Sequence, residues 1–486
     1  MRLSYLVNAL STVMLYTALV LLAPLVVALL DKDIMSFTPY ISASVISAGI
    51  GILMRKLVPD STKLENLNDI KKSEALFIVA VSWVMFALIG TIPYLFYNLP
   101  LIDAFFESTS GITTTGATIL TSFDYPKAFF FWRSFTQWLG GLGIIVLFIA
   151  ILPQFAVAGR QMFFAEAPGP TENKFTPRVR NTASTLWKLY FGLTVLLVVL
   201  LKVLGMPIFD AVCNALSTLS AGGFSPNPES IMGYHLPHVT SVILLFMFLA
   251  GASFNLQYEV FEKRNPLLLF KSSEFRMYFY IVVGMSLCIS FMLVHFHDYN
   301  TLASLRHAFF QVVSLMTSTG FASVDFNGWT YSAQILLFIV MFFGSCASSA
   351  GGGIKMTRWL LILKNMKNEI IKILHPNAVL PVKIDGVKVS QDVIRQVVIF
   401  VFFYFFIFGV TATMLTLLEQ NHTIGLTSAI TSLGNVGPGF GAIGPMGSFN
   451  HLHVVSKIII IFNMLVGRLE LIPFLVMFQK DFWTFK

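Results

Sequence analysis

Residues 103–120 read DAFFESTSGITTTGATIL, a segment rich in small and hydroxyl residues that follows an apolar stretch and is too short to cross a bilayer. Three later segments repeat it: DAVCNALSTLSAGGFSPN at 210–227, HAFFQVVSLMTSTGFASV at 307–324 and, more loosely, IGLTSAITSLGNVGPGFG at 424–441. Aligned on their first residues, all four have serine or threonine at the eighth position and glycine at the fourteenth: Ser110, Ser217, Ser314 and Thr431, then Gly116, Gly223, Gly320 and Gly437. The glycines lie about 100 residues apart, which indicates an internal repeat.

Each repeat reads as a span, a half-helix of about ten residues, a glycine loop and a second span. Non-helical backbone at membrane depth must be buried in protein or line a water-filled cavity. A single segment of this kind would be interpreted as an exterior loop between spans, but four segments in register indicate loops that converge on one cavity. The pattern therefore predicts four re-entrant half-helices whose loops converge on one cavity.

Composition places the whole chain in a membrane. Of its 486 residues, 56% are hydrophobic and only 12% are charged, about half the charged fraction of a soluble domain. The apolar blocks predict ten transmembrane helices in an all-α polytopic fold. These spans cover about residues 6–30, 36–55, 74–98, 127–154, 184–206, 236–260, 274–296, 331–372, 390–418 and 453–479.

The net charge of +8 reflects membrane topology. Most of the basic residues fall in loops on one side of the predicted spans, which is also the side of both termini. Basic loops stay in the cytoplasm, so we expect both termini there. This distribution excludes nucleic acid as a partner.

The glycine loops have the chemistry of a site for a monovalent cation. Backbone carbonyls can replace the hydration shell of a cation, and glycine permits the backbone angles that direct them inward. The segments TTTGA, SAGGF, STGFA and NVGPG contain no charged residue, whereas pores for divalent ions use carboxylate rings. The negative ends of four half-helix dipoles would favour a cation at the centre.

The motifs that carry this chemistry are similar to those of a known superfamily. GITTTGATIL, SAGGFS, STGF and LGNVGPGFG resemble the Trk/Ktr/HKT cation transporters. WRSFTQWLGGLGIIVLFIAILP from Trp132, SSAGGGIKMTR from Ser348 and VGRLEL from Val466 resemble its TrkH branch. The resemblance covers almost the whole chain. It implies a multi-pass protein of the inner (cytoplasmic) membrane that conducts potassium. The four re-entrant pore half-helices would then form a four-fold pseudo-symmetric pore within one chain.

The resemblance also implies a division of the chain. Two N-terminal helices would occupy residues 1–70, and pore repeats would occupy 71–158, 184–261, 274–375 and 390–480. Carbonyls just before and at the four glycines would coordinate potassium. Those residues are Thr114, Thr115 and Gly116; Ala221, Gly222 and Gly223; Ser318, Thr319 and Gly320; and Asn435, Val436 and Gly437. Gly439 is an alternative in the fourth repeat, although only Gly437 keeps Thr431 in register.

A basic residue lies within the last predicted span. Arg468 is about 16–18 Å along the helix from Lys457 and from Lys480, which is too deep for its charge to reach the membrane surface easily. An intramembrane charge indicates a functional site. The resemblance implies that Arg468 projects into the pore below the filter. The structural alternative is an ion pair with a buried carboxylate such as Glu259.

Three glycines interrupt the long apolar stretch from Tyr331 to Leu374. Gly351, Gly352 and Gly353, followed by Lys355, should break a helix there. The resemblance implies an intramembrane loop that obstructs the pore and acts as its gate. The alternative is a span that ends at Ser349 and continues as an amphipathic cytoplasmic helix.

Two other functional classes fit the sequence less well. A secondary transporter that couples potassium to protons or sodium would use inverted repeats, whereas these four units share one orientation. An enzyme would need paired carboxylates or a metal motif inside the spans, and the sequence has neither, so we expect no enzymatic activity and no covalently bound cofactor.

The resemblance finally implies partners. The chain lacks a nucleotide-binding motif, and TrkH-like proteins form homodimers and work with a cytosolic Rossmann-type ring that binds nucleotides (TrkA-like). We expect this ring to dock on the loops at 159–183, 262–273 and 375–390. Membrane lipids would surround the spans. The segment NAVLPVKIDGVKVSQ from Asn377 predicts a hairpin that turns at Asp385 and Gly386.

Overall fold

The computed structural model describes residues 3–58, 72–143, 176–297 and 299–470, and the regular secondary structure in these ranges is helical apart from one short hairpin. The helices of the first half are α1 (Leu3–Val20), α2 (Ala23–Leu30), α3 (Phe37–Lys56), α4 (Lys72–Phe96), α5 (Leu101–Ile112), α6 (Lys127–Trp138), α7 (Thr176–Val203), α8 (Ile208–Leu219), α9 (Pro237–Gly251) and α10 (Phe254–Lys263). The second half contains α11 (Ser273–His297), α12 (Thr301–Met316), α13 (Tyr331–Val340), α14 (Met356–Leu374), β1 (Lys383–Ile384), β2 (Val387–Lys388), α15 (Gln391–Glu419), α16 (His422–Leu433) and α17 (Val454–Arg468). A π-helical turn, Leu139–Gly143, continues α6.

Six candidate spans lie in the described ranges, or seven if the bent pair α9–α10 is one span. The first of them, Ser4–Leu30, joins α1 to α2. Apolar side chains cover their outer surfaces, as the lipid-facing sides of helices require. The predicted spans 127–154 and 453–479 continue outside the described ranges. The chain is an all-α polytopic membrane protein, as the sequence predicted.

The predicted span 236–260 is bent rather than straight. Helix α9 ends at Gly251, and α10 leaves it at an angle of 103°. The bend frees backbone carbonyls from helical hydrogen bonding. The Gln257 side-chain nitrogen donates to two of them, those of Leu249 at 2.7 Å and Ala252 at 3.1 Å. The bend is therefore stabilised by a side chain from its own second arm.

The predicted span 331–372 is also divided. Helix α13 ends at Val340 and α14 begins only at Met356, so the alternative in which the span continues to Ser349 is wrong too. Residues 341–355, which we call the 341–355 loop, fold back on themselves: the Gly344 amide donates to the Ile354 carbonyl at 2.9 Å. The helix ends earlier than the three glycines suggested because this closure supplies the backbone hydrogen bonds that the helix gives up.

The predicted hairpin is confirmed. Strands β1 and β2 are antiparallel, with Ile384 paired to Val387. The two turn residues, Asp385 and Gly386, have φ of 47° and 84°, as a two-residue turn with positive φ at both positions requires. The Asp385 carboxylate accepts a hydrogen bond from the Ser273 amide at 2.9 Å, which attaches the turn to the first residue of α11.

Four short helices, α5, α8, α12 and α16, begin at the predicted half-helices and lie almost wholly inside the protein. An ion pair of 2.6 Å joins Lys457 of α17 to Asp103 of α5, and both side chains are nearly buried. This contact connects the last repeat to the first. The four repeats therefore close around a common centre.

Candidate functional site

The four short helices end in the same backbone motif. The first residue beyond each helix cap is left-handed, with φ between 53° and 58°: Thr114, Ala221, Ser318 and Asn435. The next residue donates its amide to the carbonyl at the eighth position of the repeat, at 2.8–2.9 Å: Thr115 to Ser110, Gly222 to Ser217, Thr319 to Ser314 and Val436 to Thr431. This is a Schellman ending. The eighth positions that the sequence aligned are therefore equivalent positions of the four helix ends.

The repeat glycine follows two residues after the left-handed residue. Gly116, Gly223 and Gly320 have φ of 78–80°, and Gly437 has φ of 101°. Glycine reaches these angles without steric cost. The left-handed residues thus stand at alternate positions of each loop.

The four glycine loops form a closed ring. A Cβ built on each glycine would lie under 3.0 Å from a carbonyl oxygen of the next loop: Gly116 from Gly222, Gly223 from Thr319, Gly320 from Val436, and Gly437 from Thr115. In each case the carbonyl oxygen belongs to the residue that precedes the repeat glycine of the next loop. All twelve predicted filter residues therefore lie together in one four-membered ring.

The choice between Gly437 and Gly439 follows from this ring. Gly437 closes it against Thr115, whereas Gly439 packs against Thr427 and Ile443. The register that aligned Thr431 with the serines of the other repeats is the one in which the ring closes.

One face of the ring opens into a cavity, which we call the vestibule. Its floor contains all four repeat glycines. Arg133 lines its wall and forms a buried ion pair of 2.7 Å with Glu107. The Glu107 carboxylate also accepts the Ile119 amide at 3.0 Å, so this pair braces the segment that rises from the first loop.

The 341–355 loop covers the opposite face. The Gly352 amide donates to the Ser318 side-chain oxygen at 2.6 Å. A Cβ on Gly352 would strike the Gly434 carbonyl, and one on Gly351 would lie 2.5 Å from the Thr317 carbonyl oxygen. The loop therefore packs directly beneath the third and fourth glycine loops.

The predicted gating residues converge on this loop. The Lys355 ammonium donates to the Gly351 carbonyl at 2.6 Å. The Arg468 guanidinium donates to the carbonyls of Ala350 at 3.0 Å, Gly140 at 2.7 Å and Gly141 at 3.0 Å. Arg468 thus bridges the loop and the π-helical turn across the space beneath the ring.

The proposed ion pair between Arg468 and Glu259 is wrong. Glu259 forms an ion pair with Lys263, one helical turn away on α10. Glu470 pairs with Arg358 at 2.6 Å. The charge of Arg468 is therefore satisfied by backbone carbonyls, as expected for a residue held against a loop.

Two side chains that the sequence did not reveal also contact the site. The Glu274 carboxylate accepts the amide of Ala347 at 2.6 Å and that of Thr357 at 3.2 Å, so it ties the 341–355 loop to the first turn of α14. Gln137 of α6 hydrogen-bonds to the second glycine loop. The sequence signal for Glu274 was weak, because an acidic residue in the first turn of a helix is ordinary.

Comparison with known proteins agrees with this architecture. The profile of the TrkH family, described as a cation transport protein, matches residues 43–483. A Trk system potassium uptake protein TrkH from Salmonella typhimurium is 37% identical over 421 residues, covering 85% of this chain and 87% of the relative. The protein of that name from Halomonas elongata is 34% identical, covering 99% and 100%.

A solved structure is similar over its full length. The crystal structure of the potassium transporter TrkH from Vibrio parahaemolyticus superposes with a TM-score of 0.89 at 29% identity, covering 100% of both chains. The names of these relatives are those of transporters, in agreement with the prediction that the chain is not an enzyme. The match of the family profile over most of the sequence, together with these relatives, shows that the chain belongs to the TrkH family of cation transport proteins.

Proposed function

We propose that this protein moves potassium ions across the cytoplasmic membrane through the ring of four glycine loops. The observation that carries the proposal is the closure of that ring, in which each repeat glycine lies against a carbonyl of the next loop. The relatives named as potassium uptake proteins support potassium as the ion. No covalently bound cofactor takes part, and potassium is the substrate.

The twelve filter residues bind the ion through their carbonyls. An uncharged carbonyl ring suits a dehydrated monovalent cation. The carboxyl ends of α5, α8, α12 and α16 lie next to the ring, and each carries about half a negative charge. The ring therefore attracts a cation without a carboxylate at the filter.

The gate is the 341–355 loop together with Arg468. Ions that leave the ring on the side opposite the vestibule meet this loop and then the guanidinium. The glycines at 351–353 give the loop the backbone freedom to move aside. Arg468 and Lys355 bind carbonyls of the loop and hold it closed.

A cytosolic nucleotide-binding ring controls this gate, and the protein works as a homodimer with both termini in the cytoplasm. Of the proposed docking segments, 262–273 and 375–390 are described, whereas 159–175 lies outside the described residues. The hairpin at 383–388 offers a route to the gate. Asp385 binds Ser273, and the adjacent Glu274 binds the 341–355 loop.

A flux assay tests the proposed function. Purified protein in liposomes should carry potassium down an imposed gradient, with a reversal potential set by potassium when sodium and proton gradients are also present. The alternative, a secondary transporter, would move potassium against its gradient when a proton or sodium gradient is supplied. Absence of potassium flux in both arrangements would contradict the proposal.

Arg468→Ala should raise the partner-free potassium flux by about tenfold. The substitution removes a positive charge from the ion path, where partial desolvation strengthens its repulsion of a cation, and it releases the Ala350 carbonyl of the loop. Flux per folded molecule in liposomes measures the change. Arg395→Ala, at an exposed position of α15, is the control. Unchanged flux with a large loss of folded protein would assign Arg468 a structural role only.

Asp385→Gly should reduce stimulation by the nucleotide-binding partner about fivefold or more and leave partner-free flux unchanged. A Gly-Gly turn preserves the hairpin, but the contact with the Ser273 amide is lost. The measurement is flux with and without the partner purified from the native host. Lys388→Ala on β2 is the control. If the partner still stimulates the Asp385 variant fully, the hairpin does not transmit the partner's control to the 341–355 loop.

A further inference from the structure

A single glutamine side chain hydrogen-bonds to the second glycine loop on both sides of its repeat glycine. The Gln137 side-chain nitrogen donates to the Gly222 carbonyl at 2.5 Å, and its side-chain oxygen accepts the Phe224 amide at 3.0 Å. The side chain is fully buried on α6. The donor and the acceptor of one planar amide thus fix the two backbone groups that flank Gly223.

The equivalent helix positions in two other repeats carry a residue that cannot make both hydrogen bonds. Gly140 faces the Ile112 carbonyl as Gly467 faces the Leu433 carbonyl, so these glycines correspond. The residue three positions before Gly140 is Gln137, and three positions before Gly467 stands Met464.

The second repeat gives the same result. Gly141 packs against Ser220 as Gly251 packs against Thr317, and both contacted residues occupy the eleventh position of the following repeat. The residue four positions before Gly141 is Gln137, and four positions before Gly251 stands Met247. Methionine has no hydrogen-bond donor. The two methionines are also fully buried, so the fold accepts an apolar side chain at this position.

The carbonyl that Gln137 binds is one of the ring carbonyls. Gly222 supplies the oxygen that faces Gly116, at the joint between the first and second loops. A carbonyl oxygen has two lone pairs, so a donor on one of them leaves the other for an ion. The amide fixes the direction of this oxygen and withdraws part of its negative charge. Both the position and the field strength of filter carbonyls bear on selectivity among cations.

We propose that Gln137 is a positioning residue that sets the cation selectivity of the ring through Gly222 and Phe224. The inference rests on the proposed function, because selectivity has a meaning only if cations pass through the ring. It assigns to the first repeat a control over the filter of the second that the second and fourth repeats lack at this position.

The test is the potassium-to-sodium permeability ratio of Gln137→Met, measured from reversal potentials in liposomes. Methionine has a similar length and reproduces the residue of the second and fourth repeats. The expected result is a ratio lowered about three- to tenfold, the effect of one or two lost hydrogen bonds. Gln334→Met is the control, since Gln334 also donates to two backbone carbonyls, those of Asn327 at 2.8 Å and Trp329 at 3.0 Å, but lies away from the ring.

The outcomes separate this inference from the proposed function. If the wild-type protein carries no potassium, the proposed function fails. If the wild type prefers potassium and folded Gln137→Met has the same ratio, only the role of Gln137 is overturned. If the methionine variant is not recovered folded, Gln137→Asn replaces it, because its amide is too short to bridge both groups. An unchanged ratio there, or loss of fold in both variants, would also overturn the inference.

Discussion

Gly116→Ser is expected to lower the potassium-to-sodium permeability ratio by more than about tenfold. A Cβ at this position would lie under 3.0 Å from the Gly222 carbonyl oxygen. The serine would also occupy a φ of 80°, at a strain of about 1–3 kcal/mol. The oxygen must therefore move, and the joint between the first two loops must open. Because the Schellman endings hold the helices on either side, we expect the damage to stay at the ring.

Reversal potentials of the purified variant in liposomes measure this effect. Gly328→Ser is the matched control, because a Cβ on Gly328 meets no atom within 4 Å. An unchanged ratio in folded Gly116→Ser would remove Gly116 from the filter. Loss of folded protein would mean that the ring cannot rearrange around the displaced Gly222 carbonyl oxygen.

Gly352→Ala is expected to raise the open probability without the partner by about tenfold or more. The new methyl group would strike the Gly434 carbonyl and lie 3.2 Å from the Asn435 Cβ. The 341–355 loop can avoid this contact only by moving away from the ring, which removes the obstruction. A displacement cost of about 1–3 kcal/mol corresponds to a change of this size.

Single-channel recording without the partner tests this prediction. Gly409→Ala on α15 is the control, since a Cβ there has no atom within 4 Å. Deletion of residues 348–353 should have the same effect as Gly352→Ala by removing the obstruction altogether. An open probability equal to that of the wild type in both variants would show that the loop does not gate the pore.

The ring was predictable from sequence because its geometry restricts residue type. At these positions φ is near 80° and a carbonyl oxygen lies closer than a Cβ would permit. Glycine is therefore the residue that fits there. That is why Gly116 and its three counterparts stand in register. The left-handed residues before them could not be predicted. Thr114 and Ala221 have no special preference for this conformation, and the helix ending imposes it on them.

The 341–355 loop was predicted in outline, but its limits were not. The three glycines correctly indicated a break, but α13 ends at Val340 because the loop closes on itself through Gly344 and Ile354. Such long-range contacts leave no local signal. Gln137 was missed for a related reason. A lone polar residue in an apolar helix gives no indication of which distant backbone it will meet.

The closed ring has a consequence for how this filter can change over evolutionary time. In a pore assembled from four identical subunits, a substitution alters all four walls at once. Here each joint between neighbouring loops is built from different residues, such as Gly116 with Gly222 and Gly437 with Thr115. A substitution therefore changes the residues of one loop and leaves those of the other three loops unchanged. If ions pass through this ring, as proposed, its ion preference can change at one loop at a time.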